Sequence, residues 1–344
     1  MRLSKAKNDV ERHVTMRDII EKVPIPTAGV ALALTALGNL LQPAYEGIHI
    51  LCGVVALLLI VMLAAKIVMF PKLIRDDLHN SIMASVSGTV FMTFMQFSSY
   101  LAPIAYVPAF ALWIAATVAH LALIVWFTAR FFKQFKLHEV FPTYFICYVG
   151  IVVASVTSPA FGMQAVGQAI FWFGFACYAV LLGLVTYRYA KHEIPEGARP
   201  LFCIYTAPMS LSIVGYLAVT AEPNAVMVGV MLVLAQVLFA VVLSRLPRLL
   251  KLKFYPSYAA MTFPFVITAT ALGQATAFFR ANGVALPFAF DVLFYAEVTL
   301  ATVMVAYVLA HYLRFFFRRV ELPQSAGVLK ENAQIARFSE NFEN

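Results

Sequence analysis

Charged residues are scarce in this sequence, which narrows the class of protein at once. Only 12% of the 344 residues are Asp, Glu, Lys or Arg, whereas 62% are hydrophobic. The mean hydropathy is +0.83. A soluble domain does not need so much apolar material, so the composition excludes that class and predicts a polytopic membrane protein.

Cysteines and catalytic motifs are also few. The four cysteines lie inside apolar runs without a close pair, so we expect neither a disulfide framework nor a metal site. The seven histidines are scattered, and neither HExxH nor GxSxG occurs. A membrane hydrolase would need a nucleophile with its base, or ligands at metal spacing. We therefore predict no enzymatic activity and no cofactor, although a structural or receptor role stays open.

Ten apolar segments are present, each near the ~20 residues that span a hydrocarbon core. Residues 1–23 and 314–344 are polar, and we interpret them as cytoplasmic flanks of a membrane domain at 24–313. The first flank is too long, and lacks the small-residue cleavage site, for a signal peptide. The segments, numbered 1 to 10 below, are 24–41, 48–69, 80–99, 106–130, 139–158, 162–188, 199–220, 224–245, 254–279 and 287–313.

Lysine and arginine lie almost entirely on one side of these segments. If the segments alternate in direction, 24 of the 25 basic residues lie on the side of the flanks and even-numbered loops, in those regions or at the adjoining segment ends, and only Arg280 falls on the other side. Basic loops remain cytoplasmic, so both termini are predicted to be cytoplasmic in a plasma (bacterial inner) membrane. The net charge of +8 is thus explained by membrane orientation, and no nucleic-acid partner is expected.

Odd and even segments differ in polarity. The odd segments carry 26 Ser, Thr, Asn or Gln residues and seven prolines, against ten such polar residues and two first-turn prolines in the even segments. Successive odd segments start 55 to 60 residues apart, which indicates five repeated helical hairpins. We predict an all-α membrane fold in which five inner, odd helices surround a central pore and five outer, even helices face lipid.

Small hydroxyl residues recur along the odd segments and are predicted to line the pore. For any single serine, packing between helices is the better interpretation, because small hydroxyl residues also let helices approach. The inner segments hold no Asp, Lys or Arg away from their ends, and their helix N-termini would face the cytoplasm, which favours anions. The predicted lining residues are Thr27, Ser81, Ser85, Thr89, Thr93, Tyr144, Tyr148, Thr206, Ser210, Thr270 and Gln274.

Residues 255–279 are the most unusual stretch, because a helix facing lipid has no use for their threonines and prolines. Phe263, Thr270 and Gln274 share a face at helical spacing, and Phe263 directly precedes Pro264. We interpret the stretch as a pore-lining helix with one bulky aromatic side chain in the path of the anion.

Two ionisable residues lie deep in even segments, His120 in segment 4 and Glu297 in segment 10. A proton-coupling role is one interpretation, since intramembrane charge is costly. A neutral side chain bonded to a neighbouring helix is the favoured interpretation, because outer helices are a poor place for a proton relay.

Four stretches together resemble the tellurite-resistance/dicarboxylate transporter family, which includes the TehA-type proteins and the plant guard-cell slow anion channels. They are PIPTAGVALALTALGNL at 24–40, FPTYFICYVGIVVASVTSP at 141–159, RPLFCIYTAPMSLSIVGYL at 199–217 and YAAMTFPFVITATALGQATAFF at 258–279. Their order and spacing match those of the family over essentially the whole of residues 24–313.

The resemblance implies a homotrimer with quasi-five-fold subunits and one pore in each. It also implies that Phe263 plugs the pore and that inner helices bend at Pro142, Pro208 and Pro264, whereas segment 3 departs from the pattern in having no proline. Relatives move chloride, nitrate, malate and other C4-dicarboxylates, sulfite or tellurite-linked species. A gated anion channel or uniporter is therefore expected, and a proton-coupled exporter of sulfite, tellurite-related species or C4-dicarboxylates is the alternative.

Overall fold

Helices make up nearly all of the structure, a computed structural model that describes residues 15–133 and 135–318. Of the structure, 82% is helical, and the described residues contain no strand. The all-α membrane class predicted from the sequence is confirmed. Most of the two predicted flanks, 1–23 and 314–344, lies outside the described residues.

The even segments are long continuous helices. They contain 24 to 29 residues each, and at about 1.5 Å per residue they are roughly 36 to 44 Å long, more than a hydrocarbon core requires. Their bounds are Glu46–Met69, Tyr106–Phe131, Gln164–Lys191, Ala225–Leu249 and Ala289–Phe317.

The odd segments are shorter or interrupted. Segment 1 is the helix Thr27–Leu41, and segment 3 is divided into Ser81–Val86 and Gly88–Leu101. Segment 5 comprises Thr143–Tyr148, Val152–Thr157 and a 3₁₀ turn at Ser158–Phe161. Segments 7 and 9 each begin as 3₁₀ helix and continue as α-helix, with the bounds Glu196–Thr206 and Ala207–Val219, then Pro256–Met261 and Phe263–Ala281.

By length and composition, eight helices in the described part of the chain could cross a membrane. The number is nine if the short helix Met16–Lys22, which meets segment 1 at 87°, is counted with it as one broken span. Segment 3 falls short because Ser87 divides it into pieces of 6 and 14 residues. The count of ten therefore remains a prediction, and the difference comes from segment 1, whose helix has only 15 residues, and from the division of segment 3.

Burial separates the two sets of segments clearly. In the most apolar stretch of each even segment, 28 to 39% of the residues are buried inside the protein, against 67 to 83% for segments 5, 7 and 9. In segment 1, every residue of 27–38 is buried. Since the exposed side chains of the even segments are mainly large and apolar, they form the surface suited to lipid.

The contacts between helices follow the chain in a regular order. Each odd segment packs against the even segment that follows it. Segment 1 also packs against segment 3, segment 3 against 5, segment 5 against 7, segment 7 against 9, and segment 9 back against segment 1.

Glycine and proline explain where the odd segments break. In segment 5 the break at 149–151 contains Gly150, where a Cβ atom would lie 2.2 Å from the Ile146 carbonyl oxygen and 2.7 Å from the Met92 Sδ. In segment 9 the break is at Thr262, whose φ of −116° and ψ of −86° are not helical. Pro264 then lies in the first turn of the new helix, where its missing N–H leaves no hydrogen bond unmade.

Candidate functional site

A central cavity of about 440 Å³ lies among the odd segments. Its lining comes from all five odd segments and the residues that lead into them, and it includes no residue of the even segments as bounded above. One lining residue from each segment illustrates the arrangement: Gly29, Thr89, Gly150, Pro208 and Phe263.

The central cavity occupies only one half of the membrane domain. Its lining begins near the N-terminal end of each odd segment, for example at Asn80, and reaches Met92 in segment 3. Met92 follows Asn80 by twelve residues, which corresponds to about 18 Å of helix rise, roughly half the length of an even segment. In segment 9 the lining ends at Phe263 and Pro264, and no odd segment contributes any of its last eight residues to it.

Phe263 is placed at the inner end of the central cavity by the break in segment 9. It is the first residue of the helix Phe263–Ala281, and its exposed fraction is 7%. The other residues that end the lining are Leu32, Met92, Gly150 and Leu211, and all are apolar. The cavity therefore ends among apolar groups, where an anion would have to give up part of its water.

The wall of the central cavity is more apolar than the sequence predicted. Its polar lining residues are few, namely Asn80, Thr89, Tyr255 and Ser257, and no charged side chain lines it within the described residues. Of the eleven predicted lining residues, only Thr89 borders this cavity. Its hydroxyl donates to the Val86 carbonyl at 2.7 Å, so even this group is partly occupied.

The other predicted hydroxyl groups of segment 3 turn toward the backbone. Ser85 donates to the Ser81 carbonyl at 2.7 Å, and Ser81 donates to the Glu139 carbonyl at 2.8 Å. Thr93 donates to its own helix and to the Ala28 carbonyl of segment 1 at 3.2 Å. Short hydroxyl side chains in helices commonly satisfy themselves in this way, and a regular stripe in the sequence does not reveal it.

The hydroxyl groups of segment 7 form a buried cluster with segment 9. The carbonyl oxygen of Pro264 accepts hydrogen bonds from Thr206 at 3.1 Å and from Thr268 at 2.8 Å. Ser210 donates to Thr268 at 3.2 Å. This cluster joins the two segments directly beside Phe263.

The two predicted tyrosines of segment 5 face an outer helix. The Tyr148 hydroxyl lies 2.7 Å from that of Thr128 in segment 4. The Tyr144 ring meets Phe127 of the same segment edge to face, with 4.9 Å between the ring centres. Thr27 is fully buried in segment 1, and its hydroxyl has no hydrogen-bond partner among the described residues.

Thr270 and Gln274 lie beyond the end of the central cavity. They follow Phe263 by seven and eleven residues, about 10 and 16 Å of helix rise. Thr270 is half-buried and donates to the Val266 carbonyl at 2.9 Å, whereas Gln274 is exposed. Near the same end of segments 1 and 3, the Asn39 amide donates to Gln96 at 3.1 Å, a polar pair that the sequence analysis did not single out.

The three predicted kink prolines all lie at helix starts. Pro208 is in the first turn of Ala207–Val219, where 3₁₀ helix gives way to α-helix. Pro264 holds the same position in segment 9. Pro142 immediately precedes Thr143–Tyr148, and the interruption of segment 5 comes later, at 149–151.

The two intramembrane ionisable residues are buried away from the central cavity. His120 is 0% exposed, and its Nε2 lies 2.9 Å from the Cys147 carbonyl oxygen, next to the break of segment 5. Glu297 is 2% exposed, and its carboxyl group interacts with the side chain of Gln236 in segment 8. Neither residue lines the central cavity.

Comparison with known protein families identifies the family of this chain. The model of the voltage-dependent anion channel family matches residues 23–313, which include all ten segments. The chain belongs to this family. The voltage-dependent anion channel family comprises anion channels and transporters and is not enzymatic, so the chain is a multi-pass membrane protein of anion transport. A search of curated proteins gives no match.

Proposed function

We propose that this voltage-dependent anion channel family member is a gated channel or uniporter that passes small anions through a central pore in each subunit. Ten spans form five hairpins, with the odd segments as an inner ring and the even segments as an outer ring. The pore runs along the axis of the inner ring and is closed by Phe263.

The observation that carries this proposal is the lining of the central cavity. A cavity bordered by five separate segments, and by none of the five that are most exposed, is what a pore axis requires. The closed order of contacts from segment 1 through 9 and back to 1 supports the same arrangement. The cavity alone does not cross the protein, which supports a closed state with the block at Phe263.

Anion preference is supported by charge and not by a fixed binding group. The described lining of the central cavity carries no acid, and the N-termini of the surrounding segments direct partial positive charge toward it. Of the 25 basic residues, 24 lie on that side in the proposed orientation, so anions would be concentrated at the cytoplasmic mouth. Because no cationic side chain is found among the described lining residues, discrimination among small anions would be weak.

The gate would work by exclusion of water. The Phe263 ring fills space at the end of the cavity, and the surrounding apolar residues disfavour the water that an anion must keep. The break at Thr262 lies directly before the ring and is the proposed hinge for its movement, since Thr262 is already outside the helical region of φ and ψ. Rotation of the ring would join the cavity to the outer half, toward Thr270 and Gln274.

Several further assignments follow the resemblance to the family and complete the proposal. The protein is a homotrimer in the plasma (bacterial inner) membrane, with residues 1–23 and 314–344 in the cytoplasm on either side of a membrane domain at 24–313. The kinks of the inner helices are assigned to Pro142, Pro208 and Pro264. Of the other predicted lining residues, Thr270 and Gln274 would border the outer half of the pore when it is open.

A proton-coupled exporter of sulfite, tellurite-related species or C4-dicarboxylates is the second candidate. The observation in its favour is Glu297, a buried carboxyl group whose neighbour across the helix contact is the uncharged Gln236 of segment 8. Such a group inside a membrane is costly and often functional. Its distance from the central cavity favours the channel.

Flux in liposomes separates the two candidates. Purified protein with Phe263→Ala is reconstituted, and the efflux of chloride, nitrate, malate and sulfite is measured with and without a pH gradient. With the membrane potential clamped by potassium and valinomycin, a channel passes several of these anions down their gradients, and an uncoupler leaves the rates unchanged. Transport of one anion that collapses with uncoupler would establish the exporter instead.

A further inference from the structure

Arg188 is a buried arginine without a carboxylate partner. It lies in the last turn of segment 6, and its exposed fraction is 2%. The described residues contain three ion pairs, and Arg188 belongs to none of them. A guanidinium group cannot lose its proton in a protein, so this site carries a fixed positive charge.

The neighbours of Arg188 hold its guanidinium group in place but leave the charge uncompensated. One terminal nitrogen donates to the His138 carbonyl at 3.1 Å and the other to the His192 carbonyl at 3.5 Å. The guanidinium carbon lies 4.2 Å from the centre of the Phe141 ring. The buried Nε atom has no hydrogen-bond partner among the described residues.

A second cavity, of about 480 Å³, lies against Arg188 and is called the side cavity here. His79, His138, His192, Asn80 and Ser81 also border it, so its wall is rich in groups that can donate hydrogen bonds. Its acids are Glu139 and Glu193. Glu139 is engaged by Lys136 at 3.2 Å and lies 3.8 Å from His138, and Glu193 is exposed to solvent.

The side cavity adjoins the mouth of the central cavity. The two share four lining residues: Asn80, Ile82, Phe141 and Pro195. The Phe141 ring therefore has Arg188 close to it while also bordering the central cavity. A neighbouring surface groove, which shares His79 and Glu139 with the side cavity, adds Arg130, Lys133 and Lys136.

From this geometry we infer that the side cavity is a binding site for a small inorganic anion, held by Arg188 beside the cytoplasmic mouth of the pore. The inference rests on the proposed function in one respect, because the anion bound there is the transported one. A buried cation without a counterion is costly, and an anion at this site offsets that cost. The guanidinium fork suits planar and spherical anions alike, and the shared wall lets the bound anion pass into the central cavity.

The test measures anion binding and anion flux separately. Binding is measured as the thermal stability of the purified protein against bromide concentration, with gluconate holding the ionic strength constant. We expect a saturable rise in the melting temperature that Arg188→Gln removes. Lys251→Gln, which removes one exposed positive charge on the same side, should keep the rise.

Flux is measured on proteins that also carry Phe263→Ala, so that the gate does not limit the rate. Arg188→Gln should raise the half-saturating bromide concentration on the order of tenfold, as expected for the loss of one charge-assisted hydrogen bond, with the rate at saturation little changed. Arg188→Lys, which keeps the charge but not the fork, should be intermediate. Lys251→Gln should behave like its parent.

The possible results separate this site from the pore. An unchanged half-saturating concentration in Arg188→Gln, or no saturable bromide stabilisation of the parent, overturns the site even if the pore conducts. If Phe263→Ala carries no anion, the proposed function fails while the stability measurement still tests the site. If Arg188→Gln does not fold, the parent and Arg188→Lys decide, because bromide must stabilise the parent more than the lysine variant.

Discussion

Replacing Phe263 with alanine should open the pore permanently. The ring borders the inner end of a cavity of about 440 Å³, which has room for on the order of a dozen waters. Beyond the ring lie the polar side chains Thr270 and Gln274 on the same segment. Without the ring, water can connect the two halves, so an anion keeps its hydration along the whole path.

The size of the effect follows from what the ring prevents. Moving an unpaired ion through an apolar block costs several kcal/mol, and each ~1.4 kcal/mol is a factor of ten in rate. Removing a block of even ~3 kcal/mol should thus raise anion conductance on the order of 100-fold. Loss of stability should be near or below the ~3 kcal/mol lower limit for buried Phe→Ala, because one side of the ring already borders a cavity.

A pair of leucine variants supplies the matched control. Phe263→Leu should conduct at an intermediate level, because a smaller apolar side chain still narrows the lumen. Phe265→Leu should conduct like the parent, since Phe265 packs against Phe239 of segment 8, with 5.9 Å between the ring centres. Single-channel or whole-cell recordings measure both. Closed behaviour of Phe263→Ala in protein that is folded and correctly assembled would refute the gate.

Three further predictions concern orientation, coupling and packing. A cysteine at Gln42 should react with an impermeant thiol reagent outside intact cells, and one at Lys133 only after permeabilisation; the reverse pattern would invert the topology. Glu297→Gln should leave anion flux and its pH dependence nearly unchanged in liposomes, because this carboxyl group does not line the central cavity. Loss of transport driven by a pH gradient would favour the exporter. Gly150→Ala should lower the melting temperature or the yield of folded protein, since the new Cβ would lie 2.2 Å from a carbonyl oxygen. Gly183→Ala, with open space around it, should be neutral or stabilising. Equal behaviour of the two variants would argue against the close packing at the break.

The contrast between odd and even segments could be predicted from the sequence because it depends on composition. Lipid contact requires apolar side chains over a long continuous helix, and the sequence of Ala225–Leu249 meets this requirement. Polar residues and prolines exclude the same role for 199–220, and the structure places most of that segment out of reach of lipid. Phe263 could likewise be singled out from the sequence, because it shares a helix face with Thr270 and Gln274 and directly precedes Pro264.

The direction of each hydroxyl group could not be predicted from the sequence. Ser81, Ser85 and Thr93 recur at helical spacing, which shows that they share a face but not what that face meets. Each has a backbone carbonyl within reach, three to four residues back or across a helix contact, and each bonds to it. The apolar wall residues Leu32 and Leu211 could not be recognised as lining residues, because leucine is equally common in a protein core, at a lipid-facing surface and on an apolar cavity wall.

The breaks in segments 3 and 5 also escaped prediction. Gly88 and Gly150 were the available signals, but an isolated glycine in a membrane helix more often marks close packing than an interruption. Only the approach of Ile146 and Met92 to Gly150 shows why that position needs to lack a side chain. The burial of Arg188 could not be predicted either, because it arises from Phe141 and His138, which are remote in sequence.

The claim that anions pass along the central cavity is tested most directly by blocking it with an anionic thiol reagent. In protein with Phe263→Ala and the four native cysteines replaced, a single cysteine is placed at Leu211, on the cavity wall. A sulfonate thiol reagent on the cytoplasmic side should then abolish chloride flux. A cysteine at Val233, on the exposed face of segment 8, should leave flux intact under the same treatment. Unchanged flux after confirmed modification of the Leu211 position would contradict a pore along this cavity.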